Sequence, residues 1–137
     1  MDSYGVVPTN TNYVSFKVKA ERDGHFGLLE TTSTSSELYE VNLGGWWNMK
    51  TCLRKMPSSS CREFVHVNEG VLNESAYIEL WFTFHTGRIR YGKITNCNNY
   101  IEWVDHEDNA NPYVINHFAI STYSGVEGTW VFRSNCK

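Results

Sequence analysis

Residues 77–94, Tyr77-Ile-Glu-Leu-Trp-Phe-Thr-Phe-His-Thr-Gly-Arg-Ile-Arg-Tyr-Gly-Lys-Ile94, concentrate the recognition chemistry of the chain. Trp81 offers an indole face on which apolar C–H patches can stack. Glu79 accepts hydrogen bonds, while His85, Arg88 and Arg90 donate them. Such a set suits a ligand that is apolar on one side and rich in hydroxyl groups on the other. The spacing brings the set together. Ile78, Leu80, Phe82 and Phe84 alternate with Glu79, Trp81, Thr83 and His85, the period of a strand. Thr86-Gly87 provides a two-residue turn in which Gly87 takes positive φ. Folding back there pairs His85 with Arg88, Phe84 with Ile89, Thr83 with Arg90, Phe82 with Tyr91 and Trp81 with Gly92. One face of the hairpin is then apolar (Ile78, Leu80, Phe82, Phe84, Ile89, Tyr91) and the other carries the polar set. Gly92, opposite Trp81, leaves the indole uncrowded by its cross-strand neighbour.

Other candidate chemistry is sparser. His25 and Asn48 are further polar candidates. Trp46-Trp47 is a pair expected to alternate across a strand with one ring inward and one outward, the outward ring being a second stacking surface or a subunit contact. Asp105-His-Glu-Asp-Asn-Ala-Asn111 sets oxygen ligands at alternating positions, but Ala110 stands where a sharp calcium loop needs glycine. A solvated acidic loop is the expectation there. Cys52, Cys61, Cys97 and Cys136 form no Cys-x-x-Cys pair, and the five histidines no His-x-x-x-His array, so zinc is unsupported. There is no Gly-x-Ser-x-Gly elbow and no glycine-rich loop opening a helix. No metal and no cofactor is expected. These residues point to recognition more than to catalysis.

The elements that position them are strands throughout. Residues 1–12 read as an arm. Strands are expected at Tyr13–Ala20, His25–Thr31, Leu38–Leu43, Trp46–Arg54 after a Gly44-Gly45 hairpin turn, and Arg62–Val67. The central hairpin follows, then Tyr100–Asp105, Tyr113–Thr122 and Gly128–Arg133, with a polar loop at His106–Pro112. About ten short strands joined by turn residues, without helical periodicity, predict an all-β, antiparallel two-layer sandwich in a single domain over 1–137.

Composition narrows the function classes. With 137 residues and 41% hydrophobic content the chain can bury a core unaided. Twelve Lys+Arg against fifteen Asp+Glu leave no basic footprint, so neither nucleic acid nor a membrane surface is an expected partner. No apolar run reaches the length of a membrane span. Four cysteines allow three disulfide pairings. Cys52 and Cys61 bracket a compact loop that a bridge would close, which leaves Cys97 for Cys136. Together with the glycosylation sequon Asn73-Glu-Ser75, this predicts a secreted protein.

Several short pieces resemble the farnesoic acid O-methyltransferase-like domain family. They are Phe16-Lys-Val-Lys-Ala20, Asp23-Gly-His25, Leu28, Tyr39-Glu-Val-Asn-Leu-Gly-Gly-Trp46, Asn48 and Leu53-Arg54. Leu80-Trp-Phe-Thr-Phe84, Gly87-Arg-Ile-Arg-Tyr-Gly92, Trp103-Val-Asp105 and Gly128-Thr-Trp130 complete the set, which spans about Tyr13 to Phe132. The resemblance implies an extracellular recognition module, with small stand-alone members that look like lectins. The methyl transfer in its name ordinarily needs a cofactor pocket at the edge of a parallel α/β sheet, which this pattern does not offer. Of the matching residues Asp23, His25, Tyr39, Glu40, Trp46, Asn48, Arg54, Trp81, Trp103 and Asp105, most are expected to hold the sandwich, with Glu40 and Arg54 as an inter-strand pair. The cysteines are outside the family's pattern.

The combined expectation is a secreted lectin, not an enzyme, that holds galactose-type glycans through Glu79, Trp81, His85, Arg88, Arg90, His25 and Asn48. One shallow site binds weakly, so a homo-oligomer is expected for avidity. The competing readings are an enzyme (a methyltransferase, or a hydrolase using His25 or His85) and a protein–protein adhesion module.

Overall fold

The computed structural model describes residues 6–8, 12–30, 37–123 and 125–132. Its strands are β1 (Val6–Pro8), β2 (Tyr13–Ala20), β3 (Gly24–Leu29), β4 (Leu38–Gly44), β5 (Lys50–Lys55) and β6 (Cys61–His66). These are followed by β7 (Ile78–His85), β8 (Arg88–Thr95), β9 (Asn99–Glu107), β10 (His117–Thr122) and β11 (Gly128–Val131). They form a six-stranded sheet in the order β1-β10-β3-β4-β5-β6 and a five-stranded sheet in the order β11-β2-β7-β8-β9. Every pairing is antiparallel. The all-β sandwich expected from the alternation is the observed fold.

The central hairpin has the register expected from its turn, from His85 opposite Arg88 to Trp81 opposite Gly92. Phe82, Phe84, Ile89 and Tyr91 turn inward and are buried. They meet Phe16, Phe26 and Phe118 from both sheets in a run of stacked rings, with Phe26 4.3 Å from Phe82 and Phe82 5.0 Å from Tyr91 between ring centres. The Tyr91 hydroxyl donates to Thr51 Oγ1 at 3.0 Å, so the one polar atom of that ring is satisfied in the core.

Four boundaries differ from expectation. Val6–Pro8, inside the expected arm, pairs with β10; residues 1–5 and 9–11 lie outside the described residues, as does the 31–36 loop. β9 extends through Glu107 because its ladder with β8 continues to Arg88. The strand expected from Tyr113 begins only at His117. Residues 112–116 are instead anchored through Tyr113, whose N–H donates to the Tyr39 hydroxyl (3.0 Å) and whose own hydroxyl donates to the Met56 carbonyl (2.7 Å). Finally, Trp46 does not open a strand. Gly45–Asn48 forms a tight turn and β5 starts at Lys50.

Cys52 and Cys61 form a disulfide between β5 and β6, Cα atoms 5.4 Å apart. Cys97 is also oxidised; its expected partner, Cys136, lies outside the described residues. Glu40 and Arg54 are register partners and an ion pair at 3.3 Å, as expected.

Candidate functional site

The polar face of the hairpin lies on the outer side of the five-stranded sheet, and its groups are already occupied. Arg88 makes a two-pronged contact with Asp105, at 3.0 and 2.8 Å. Arg90 bonds through Nε and Nη2 to Glu102. His85 is bonded to the Asn12 side chain at 3.2 Å. Trp81 is only 5% exposed. The space opposite Gly92 is filled by β9, which bulges at this point. A Cβ on Gly92 would sit 1.8 Å from the Ile101 carbonyl oxygen, and that same oxygen accepts the Trp81 indole N–H at 3.2 Å. Tyr100 meets the indole edge-on and Arg90 lies over it. What remains is a groove of about 340 Å³ between Tyr13, Trp81, Thr83, Arg90, Tyr100 and Glu102.

A different concavity, of about 550 Å³, opens on the six-stranded sheet. It is lined by Arg22, Asp23, His25, Asn42, Trp46, Trp47, Arg54 and Tyr123. His25 of β3 and Asn42 of β4 are register partners and so share a face, and Glu40 and Arg54 form the next row on it. The alternate residues Phe26, Val41 and Leu53 face the core. Asn42 Nδ2 reaches Asp23 Oδ1 at 3.5 Å, and Asp23 is paired with Arg22 at 2.6 Å. Yet Asn42 Oδ1, His25 Nδ1 and Arg22 Nε are buried without a hydrogen-bond partner among the described residues. Buried polar atoms are seldom left unpaired, because each costs its full desolvation. Three such atoms belong to residues that line this one concavity. Burial lowers the His25 pKa below its ordinary value, with the Glu40 and Asp23 carboxylates pulling the other way, so the ring stays neutral near pH 7.

Two indoles flank this floor. Trp46 is 46% and Trp47 81% exposed, so both rings are outward and neither lies in the core. The backbone explains why. Gly44 (φ 81°) is followed by Trp46, Trp47 and Asn48 at φ 52°, 58° and 69°, three consecutive non-glycine residues in the left-handed region. Such residues cost roughly 1–2 kcal/mol each, and strain of this kind concentrates at functional sites. The turn is held by Asn48, whose amide donates to the Leu72 carbonyl (2.6 Å) and accepts from the Leu72 N–H (2.8 Å). Trp46 also packs edge-on against Phe64 at 4.6 Å, and Arg22 lies 5.4 Å from the Trp47 ring centre.

The seven site residues expected from sequence therefore separate. Glu79, Trp81, His85, Arg88 and Arg90 stand on one sheet, and His25 on the other. Asn48 lies beneath the tryptophan turn with its amide committed to Leu72. The concavity also gathers Asp23, Asn42 and Arg54, which were not expected as site residues, and Trp47, whose pair was expected to offer one outward ring. A signal existed in Glu40 and Asn42, which alternate with Tyr39, Val41 and Leu43, followed at once by Gly-Gly-Trp-Trp. That reads as a polar sheet face beside paired rings. Among the described residues no group of three or more His, Cys, Asp or Glu is placed to hold a metal ion.

Comparison with known proteins gives a match to a family model described as Farnesoic acid 0-methyl transferase over residues 3–136. No curated protein matches the chain. Among solved structures it is similar to the carbohydrate binding module CBM66 from Bacillus subtilis (TM-score 0.59, 8% identity, 96% of this chain and 80% of that one). It is also similar to a double mutant of congerin II (0.57, 10%, 93% and 100%) and to sheep galectin-11 in complex with glycerol (0.53, 12%, 93% and 96%).

Proposed function

The chain belongs to the family described as Farnesoic acid 0-methyl transferase, and from that premise we propose a reading unlike the family's name: the protein is a lectin that binds glycans non-covalently and transfers no group. The site is the concavity on the six-stranded sheet. One observation carries this. His25 Nδ1 and Asn42 Oδ1 are buried and, among the described residues, unpartnered, in residues that line a cavity together with the exposed Trp46 and Trp47. A pyranose supplies both complements, hydroxyls for the floor and an apolar C–H face for a ring. Asp23 and Arg54 add an acceptor and a donor. In this reading Asn48 positions the turn, and Glu79, Trp81, His85, Arg88 and Arg90 brace the other sheet.

A galactose-type sugar is the proposed ligand, since stacking on an aromatic ring is a common way to hold its apolar face. Secretion is supported by the Cys52–Cys61 disulfide. A homo-oligomer would convert a weak single site into useful avidity. The likeness to proteins named as carbohydrate-binding module and galectin supports the same direction. Gly44 leads into a left-handed turn, not into a helix whose N-terminus could cradle a cofactor.

A glycan array with the purified protein, with and without a calcium chelator, tests the reading. Selective binding to one terminal disaccharide is expected, unchanged by the chelator. A blank array from an assembled, folded protein would overturn the lectin and favour protein–protein adhesion. A thermal shift on adding S-adenosylmethionine would instead favour the transferase.

A further inference from the structure

Asn73-Glu74-Ser75 is the single Asn-x-Ser/Thr tripeptide in the chain, with no proline at x. It lies between β6 and β7, just after Val71 and Leu72, which are 1% and 5% exposed and anchor the segment. From Asn73 to Tyr77 the chain is exposed. The Asn73 carboxamide oxygen turns back to accept the N–H groups of Ser75 (2.7 Å) and Ala76 (3.1 Å), and the Asn73 backbone carbonyl accepts the Ala20 N–H at 3.1 Å. Main chain and carboxamide oxygen are thereby fixed. The Nδ2 amide, the one group of this residue that could be derivatised, has no hydrogen-bond partner among the described residues.

We propose that Asn73 carries an N-linked glycan. The inference rests on the secreted reading above, since the modification belongs to the secretory pathway. Its chemistry is that of glycosyl transfer from a lipid pyrophosphate-linked oligosaccharide. Asn73 Nδ2 forms a bond to the anomeric carbon as the bond from that carbon to the pyrophosphate oxygen breaks. The lipid pyrophosphate leaves with the electron pair, and one Nδ2 proton passes to a carboxylate of the transferase. Nothing is oxidised or reduced.

The position has a structural consequence. Asn73 is tied to the end of β2, which pairs with the edge strand β11. Beside it runs a polar concavity of about 350 Å³ lined by Lys19, Glu21, Glu74, Glu127 and Thr129, among others. The innermost sugars have hydroxyl partners there, and the glycan covers a sheet edge that would otherwise be open to strand addition. None of residues 73–76 lines the proposed glycan-binding pocket, so attachment and recognition are separable.

The test is to express the full chain through the secretory pathway of a eukaryotic cell and recover it from the medium. An intact mass above the 15.8 kDa of the chain is expected, falling after peptide-N-glycosidase treatment to that of the chain with residue 73 converted to aspartate. Release in heavy-oxygen water should label residue 73 alone. Ser75→Ala keeps the turn made by Asn73 yet should abolish the added mass, whereas Ser75→Thr should retain it. A secreted, disulfide-bonded chain whose residue 73 is wholly unmodified overturns the proposal. The same preparations on a glycan array separate this from the lectin reading. An occupied Asn73 with a blank array sinks only the lectin. Intact binding with an unmodified Asn73 sinks only the attachment site.

Discussion

Trp47 and Trp81 have the same side chain and opposite expected consequences. Trp47 is 81% exposed and touches Arg22 across its ring. Trp47→Ala should therefore leave folding stability within about 0.5 kcal/mol while lowering glycan affinity roughly tenfold or more, about 1.4 kcal/mol. Denaturant unfolding and titration with the best array ligand measure the two effects. Trp81→Ala removes a ring packed under Tyr100 and Arg90 and strips the Ile101 carbonyl of its donor. It should cost about 3–5 kcal/mol of stability. If Trp81→Ala instead abolished binding at unchanged stability, the hairpin face would be the site after all. Sequence alternation correctly assigns Trp81 to the outward side of its sheet. Alternation is silent on what lies above that side, and here the cover is a neighbouring strand's carbonyl. No pattern within residues 77–94 encodes it.

The tryptophan turn shows how little of an element can be read when its backbone is strained. Gly44-Gly45 signals a reversal, but a left-handed run over Trp46, Trp47 and Asn48 is against the intrinsic preference of each residue. The reason it persists lies more than twenty positions downstream, in the two bonds between Asn48 and Leu72. Gly44 is required for the same reason. A Cβ there would approach Asn48 Oδ1 to 2.6 Å, at a φ of 81° that side chains rarely adopt. Asn48→Ala should cost about 1–3 kcal/mol by leaving the Leu72 groups unpaired. It should also weaken glycan binding, because the rings lose their support, and a paired melting and affinity measurement separates the two losses. Gly92 is the matching constraint on the other sheet. Gly92→Ala drives a methyl into the Ile101 carbonyl, so β8 and β9 must part. A loss of about 1–3 kcal/mol or more is expected by denaturant unfolding. In contrast, the register of β7 against β8 was legible, because a two-residue turn and strict alternation fix register locally.

At the scale of the molecule, alternation marks strands but not their distribution between sheets, because β3 pairs with β10 and β2 with β7 across long stretches of intervening chain. What ties the sheets at one end is equally non-local. Asp108, just past β9, reaches Lys55 of β5 at 2.6 Å and Arg62 of β6 at 3.4 Å. The Tyr39 hydroxyl of β4 donates to it at 2.7 Å, and the Ala110 N–H at 3.1 Å. His106 and Glu63 make a second link at 2.9 Å. The acidic loop that suggested a calcium site thus spends its central carboxylate on joining the layers. Burial alone would raise the pKa of Asp108, but the Lys55 and Tyr39 hydrogen bonds overcome it and hold the group at about 2, below its ordinary 3.8. The unfolded chain therefore takes up this proton first as pH falls. The stability that Asp108 contributes is complete above pH 3.8 and declines progressively as pH falls toward about 2. Asp108→Asn leaves the ammonium of Lys55, 10% exposed, beside an uncharged amide, which should cost roughly 3–5 kcal/mol at pH 7. The variant should also lack that part of the acid-induced decline, so the gap between the two unfolding curves should narrow as pH approaches about 2. Curves that stay parallel between pH 7 and 2 would mean that another group carries the acid response. They would also mean that the layers are joined chiefly by their shared aromatic core.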